Sequence, residues 1–445
     1  MLPNLVELMA TDPKRSIAII GGGLCGLSLA IALKKRSIPF KIYEARSSFV
    51  GQGTGINISP NARQAFRLID QPLGDAVERL VTRNPPPKED VWMHVRFGAG
   101  TTNFADGELV DEMLAPPTGS TTVRRNDLLG LLAERAGLEN AAFNKKLAGF
   151  EQTESGVALT FADGSAAVAY IVVACDGIHS TARQLIRGEH PEAALPNYSG
   201  HGAYRAVLPK EAVAQAIGRE LASTSNLFIG PDAYYIMYPV EGQTSVNCGF
   251  WCDGPEQWPS RDWVLPHQRE AMMAAAKGWG QTVHKLLALM GEPPFFATFC
   301  HTNQALTWHA GRVVLIGDAA HSMPPHLGQG AAQAMEDAYV LAETLETLYK
   351  DTAGDDHLRV AQALQAYEDV RLPRSQKVLE GSLNAWNGWT RWYRDDLNLD
   401  DVKIYRQNWR AVFEEIWYDD LPAQATRVRE RMVGDPTLPD RPSSL

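Results

Sequence analysis

The feature that most constrains this chain is a glycine cluster, Gly21-x-Gly23-x-x-Gly26, set between a β-branched run and a helical pattern. Ser16-Ile-Ala-Ile-Ile20 has the continuous apolar character of a strand buried on both faces, and Leu24 to Lys35 is rich in Leu, Ala and Ile. Phe40-Lys-Ile-Tyr-Glu44 reads as a second strand that closes a βαβ unit. In that setting the first glycine allows a tight turn and the second lets the backbone approach a pyrophosphate. The third permits close packing of helix on strand, and the helix N-terminus meets the phosphate charge. Glu44 ends the second strand about 20 residues beyond the glycines, where a carboxylate accepts ribose hydroxyls and repels a 2′-phosphate. The unit therefore predicts a site for FAD or NAD rather than NADP. The same glycines split the long apolar stretch Ser16 to Leu33, which excludes it as a membrane span.

At 445 residues the chain is too long for one compact core, and 45% hydrophobic with 21% charged residues predicts a folded protein of several lobes. A net charge of −10 disfavours nucleic acid as a partner, because phosphate binding needs a basic surface. The five cysteines are scattered without C-x-x-C, which excludes a disulfide framework or zinc ribbon and fits a reducing, cytoplasmic setting. Met1 to Lys14 has no basic region followed by an apolar stretch, so no secretory leader is expected. The eleven histidines form no ligand-spaced cluster; His321 and His326 stand near each other without a Cys or third His, and no metal site is predicted.

Three later segments separate FAD from NAD. Arg124-Arg-Asn-Asp-Leu128 opens a helical pattern after a loop, where an Arg can reach a pyrophosphate bidentately. Val168 to Ala174 reads as one strand running into Cys175-Asp176-Gly177. Gly317-Asp-Ala-Ala-His-Ser-Met-Pro-Pro-His-Leu-Gly-Gln-Gly330 joins a strand to a long helix, so that Asp318 can bind a ribitol hydroxyl and the amides of Gly330 and Ala331 can face a flavin ring. From Tyr204 to Trp251 the pattern changes to short strands with turns, as in an antiparallel sheet.

Taken in this order, these segments resemble the FAD-dependent aromatic hydroxylases, single-component flavoprotein monooxygenases of the salicylate hydroxylase type, over about Ser16 to Trp417. The resemblance implies an α/β fold: a Rossmann-like FAD-binding domain with an inserted substrate domain built on an antiparallel sheet, plus C-terminal helices. It divides the chain into 15–188 (FAD-binding, with 85–111 contributing to the substrate lobe), 189–296 (substrate domain), 297–365 (FAD-binding, second part) and 366–445 (C-terminal helices and tail). It implies that Glu44, Gly55, Arg125, Asp318 and Ala331 contact FAD beside Gly21, Gly23, Gly26, Asp176 and Gly330. Two departures stand out. The family's Gly-Ala-Asp-Gly reads Ala174-Cys-Asp-Gly here, and its usual His before the helix-opening Arg is Arg124.

The resemblance further implies that NAD(P)H reduces the flavin, that O₂ forms a C4a-hydroperoxide, and that one oxygen atom passes to a phenolic or salicylate-like ring. No second dinucleotide fingerprint occurs, as expected if NAD(P)H docks transiently. In the subset acting on polyketide-derived phenols, an Arg and a Tyr at positions matching Arg205 and Tyr238 hold and activate the phenolate. Arg205 lies in an otherwise apolar strand, and a buried guanidinium requires an anionic or polar partner, either a substrate or a structural carboxylate. His326 is a weaker candidate for a base. Trp386, Trp389 and Trp392 recur at helical spacing and read as core or dimer contact; a homodimer is left open. A dearomatising hydroxylase and an FAD oxidase or dehydrogenase without oxygen insertion remain as alternatives. A flavin halogenase is disfavoured because no Trp-x-Trp-x-Ile-Pro segment is present.

Overall fold

The computed structural model describes residues 15–49, 55–153, 155–187, 194–300, 307–351 and 356–433. The glycine turn at 51–54 and the Pro-rich tail read in the sequence lie outside them. The first strand, β1 (Ile17–Ile20), has all four residues buried. It leads through the glycine cluster into α1 (Leu24–Lys35), which returns the chain to β2 (Phe40–Tyr43). β2 lies parallel to β1, with Ile17 opposite Phe40. On the other side of β1 lies β3 (Ile171–Ala174), again parallel, with Ile17 opposite Ile171.

The expected single strand from Val168 to Ala174 is two strands in two sheets. Ala166–Ala169 pairs antiparallel with Val157–Phe161, and the chain then changes partners at Tyr170, whose amide bonds the Ser16 carbonyl at 2.8 Å. An apolar run shows burial but not a change of hydrogen-bond partner along it. The helix-opening Arg125 likewise follows a strand, Thr121–Arg124, rather than a loop.

A second sheet of eight strands is built around β4 (Asn197–Pro209), β5 (Ala233–Val240) and β6 (Ser245–Asp253). Val91–Phe97 and Leu109–Leu114 form one margin, and Phe295–Cys300, which crosses the expected boundary at 296, pairs with β4 near the other. Register decides which side chains share a face: Arg205 stands opposite Gly249, and Gly249 opposite Ile236. Because side chains alternate along a strand, Arg205, Tyr234, Ile236, Tyr238, Asn247 and Trp251 point one way. Tyr204, Tyr235, Met237, Cys248 and Phe250 point the other way, into a core completed by Val213, Met272, Val283 and Leu286 from three helices.

The chain then returns to the parallel sheet as β7 (Val313–Leu315), beside β3, and enters the long helix α2 (Gly330–Lys350). Two further helices, α3 (Asp356–Thr390) and α4 (Leu399–Trp417), cover the first face of the large sheet. Asn398 caps α4 through the amides of Asp400 and Asp401, while Asp401 returns a bond to Asn398. Trp386 and Trp389 are buried core, and Trp389 stacks on Trp409 with centroids 3.7 Å apart. No described helix is long and apolar enough to cross a membrane.

Candidate active site

Two hollows meet along the carboxyl ends of the parallel strands. The first, about 310 Å³, is lined by Gly21, Gly22, Gly23, Glu44, Arg46, Arg125 and Asp176. Gly21 turns the chain with φ +102°, and a Cβ on Gly26 would stand 2.0 Å from the Gly21 carbonyl oxygen, so helix and strand touch backbone to backbone. A Cβ on Gly23 would meet nothing within 4 Å. The N-terminus of α1 has no side-chain cap, leaving its first amides directed at this opening. Glu44 is held at the end of β2 by the amides of Gly22 (2.7 Å) and Arg46 (2.9 Å). Asp176 accepts from the Ala182 amide at 3.1 Å, while its other carboxyl oxygen is buried without a partner among the described residues. An open backbone cradle, an uncapped helix, two guanidiniums and an orphaned carboxyl oxygen fit the adenosine and pyrophosphate of FAD.

The second hollow, about 300 Å³, lies between the large sheet, the segment from Asp318 to Ala331, and helices α3 and α4. Its walls include Gly55, Arg205, Tyr238, Asp318, Gly330 and Ala331. Asp318 is open towards this cavity and otherwise enclosed; burial pushes its carboxyl up against the opposing pull of His321, Arg125 and Arg183. Gly330, the first residue of α2, lies beside it: a Cβ there would be 4.0 Å from an Asp318 carboxyl oxygen. Arg205 rests over the Trp251 ring at 5.1 Å, and no carboxylate among the described residues pairs with it. Burial lowers the pKa of its guanidinium, while Tyr238 and Tyr234 act in the opposite sense. Of the two partners left open for Arg205, a structural carboxylate is absent among the described residues.

Tyr238 reaches the cavity, but its hydroxyl donates to the Gly55 carbonyl at 2.8 Å, and burial pushes its pKa up to about 12. The donor expected to face a substrate is therefore committed to the strand that carries Gly55. Arg124, which had no reading in the sequence, forms a half-exposed ion pair with Glu241 at 3.0 Å. Tyr234 and His201 were not singled out in the sequence. Tyr234 lies two alternations from Tyr238 on the same strand face, and this period-2 spacing was the signal that could have found it. No group of three metal-ligating side chains occurs among the described residues.

The Asp318 segment is braced from beneath. Arg371 of α3 is fully buried and reaches Glu336 at 2.7 Å and Asp337 at 2.8 Å. Asp337 in turn accepts from the Gly317 amide (2.9 Å) and meets His321 Nε2 (2.6 Å), which fixes the residue before Asp318. Arg183 clamps the same turn through the Ala319 carbonyl at 2.5 Å. Replacing Arg371 by Ala removes a guanidinium shared by two buried carboxylates, leaving Glu336 to Arg374 and Asp337 to His321 and the Gly317 amide, so a loss of about 3 kcal/mol is expected. It should be read as a lower urea midpoint together with reduced flavin content; an unchanged midpoint would show that the network is not a brace.

Comparison with known proteins agrees with this layout. Residues 14–382 match the model of a family described as "FAD binding domain". The chain belongs to that family. It is 33% identical to 6-methylsalicylate 1-monooxygenase of Aspergillus terreus over 94% of its own length and 92% of that protein's. It is 32% identical to salicylate hydroxylase of Pseudomonas putida, covering 94% and 95% of the two chains. The solved structure of a salicylate hydroxylase substrate complex superposes with a TM-score of 0.81 at 29% identity, covering 94% of this chain and 98% of that one. The protein is an FAD-dependent monooxygenase of the salicylate hydroxylase fold. In this monooxygenase the parallel sheet carries the glycine cluster, while the cavity bearing Arg205 lies against the second sheet.

Proposed function

We propose that this monooxygenase hydroxylates a phenolic, salicylate-like aromatic substrate with NAD(P)H and O₂. Arg205 carries the reading: a guanidinium without a carboxylate partner among the described residues, beside a cavity whose walls include Trp, Met, Leu and Ile side chains, calls for an anionic oxygen on the ligand. FAD, reduced by NAD(P)H, would activate O₂ and supply one oxygen atom to the ring. Glu44 would hold the adenosine ribose, and Arg125 with the first amides of α1 the pyrophosphate. Asp318 would hold the ribitol, and Gly55, Gly330 and Ala331 would flank the ring system. Arg205 draws the substrate oxygen to itself and favours its ionised form, which makes the ring electron-rich. Tyr238, tied to Gly55, gives the ring a fixed wall rather than a donor. The apolar lining excludes water from the reacting carbon.

The test is a panel of phenols, salicylates and resorcylic aldehydes assayed for stimulated NAD(P)H oxidation, with product mass measured alongside. The expected result is consumption that rises with a phenol and a product heavier by one oxygen. Substrate-independent consumption that yields only H₂O₂ would instead support an oxidase.

A further inference from the structure

We propose that the substrate is a phenol bearing an apolar chain several carbons long, held in an extension of the cavity that leads away from Arg205 across the large sheet. The proposal rests on the phenol-hydroxylation reading above and narrows it to one substrate class.

Strand register gives the direction and length of the extension. Arg205 stands opposite Gly249, Gly249 opposite Ile236, Ile236 opposite Leu227, and Leu227 opposite Val95. These positions form one row across five adjacent strands, and the first four line the cavity. Met93, one alternation from Val95 on its strand, lines it as well. Neighbouring strands lie about 4.8 Å apart, so the row spans about 19 Å. The Arg205 guanidinium leans inward over the Trp251 ring of β6. From β6 to the strand Val91–Phe97 there remain three spacings, about 14 Å. A single aromatic ring fills about half of that length.

The walls change character along the row. Gly249 adds no side chain beside Arg205, and a Cβ there would stand 3.1 Å from the Trp251 indole nitrogen, so a flat ring fits where a side chain would crowd. The charged residues that line the cavity are Arg205 and Asp318. Beyond Ile236 the lining comprises Leu227 and Met93 from the sheet, Met113 opposite Met93, and the rings of Trp92, Trp389 and Phe413. Trp389 donates its indole N–H to the His326 carbonyl at 3.1 Å, so that donor is not open to a ligand. Trp92 packs on Trp417 at 4.8 Å and Trp389 on Trp409 at 3.7 Å, which gives the extension rigid sides. Two unbranched thioethers at its far end adapt to chains of different length.

The residues expected to flank the flavin enter elsewhere. Gly55 lies against Tyr238 and Asn247, on β5 and β6, while the extension leads on over the next two strands. A bare salicylate would leave that apolar lining uncovered; an alkyl or alkenyl chain removes it from water. Because Arg205 takes the ionised oxygen, the chain leaves the ring on the far side, meta or para to that oxygen.

The flavin-loaded enzyme is assayed with 5-alkylresorcinols from methyl to heptyl, and kcat/KM is taken from product heavier by one oxygen. Each methylene is expected to raise kcat/KM about three- to fourfold up to the pentyl compound, with a plateau beyond it. Leu227→Phe narrows the extension and should lower the pentyl-to-methyl ratio roughly tenfold or more. Met93→Gln keeps the side-chain length but sets a polar amide at the far end, and should lower the same ratio. If Leu227→Phe loses flavin, Met93→Gln decides. A parent ratio near one, a parent-like ratio in the flavin-loaded variants, or product from salicylate but from no alkylresorcinol would overturn the extension and leave aromatic hydroxylation standing. Absence of oxygenated product from every phenol and salicylate tested would overturn the phenol reading itself.

Discussion

Arg205→Ala is expected to keep its yellow colour and lose nearly all coupled product. A cation next to a phenol lowers the phenol's pKa by about 1–3 units, so its removal leaves roughly 10- to 1,000-fold less phenolate at a given pH. Reducing equivalents should then leave as H₂O₂. The sign with pH is definite. The guanidinium favours the charged form, so the defect is largest where the free phenol is protonated and shrinks as pH rises towards the phenol's own pKa. Arg205→Lys keeps the charge but not the planar fork, and should fall between the two. The measurement is product formed per NAD(P)H consumed, across pH, on variants with full flavin. Near-normal coupling, or a defect that pH does not relieve, would move the anchor elsewhere.

Gly23→Val and Gly26→Val should fail in different ways. At Gly23 the backbone is extended (φ −77°) and, apart from its chain neighbours, no atom of the described residues lies within 4 Å of a new Cβ, so the chain tolerates the side chain. What valine fills is the opening where the pyrophosphate backbone would sit. A folded, colourless protein with unchanged far-ultraviolet circular dichroism is expected. At Gly26 the new Cβ would lie 2.0 Å from the carbonyl oxygen of Gly21, a backbone atom that cannot swing aside. That variant should lose the packing of α1 on β1, and with it soluble protein, whether or not FAD is supplied. If Gly23→Val binds FAD normally, the cradle is elsewhere. If Gly26→Val is stable and only flavin-free, the contact is less tight than its geometry indicates.

Much of the cofactor half was legible because it depends on residues close in sequence. The glycine spacing, Glu44 at a strand end and the Asp318 to Gly330 segment each sit within one strand–turn–helix unit, where local geometry ties residue type to position. The cavity was less legible. Arg205 stood out as a charge in an apolar strand, but its partner could not be read, since a carboxylate could have come from any element packed on that face. Tyr238 was read as a donor to substrate, whereas its hydroxyl donates to the Gly55 carbonyl across a span of the chain that no local pattern encodes.

The sequence by itself determined a dinucleotide-type site, the parallel strand–helix–strand start and the antiparallel character of the second sheet, since these follow from strand and helix patterns and from glycine placement. Only the tertiary structure decided where Val168 to Ala174 divides between sheets, that Arg205 lacks a carboxylate among the described residues, and that His201 and His326 meet at 2.6 Å. The physical reason is the same in each case. A hydrogen bond or ion pair between residues more than a hundred positions apart depends on the relative placement of whole elements, and side-chain order along a strand carries no record of what will pack against it.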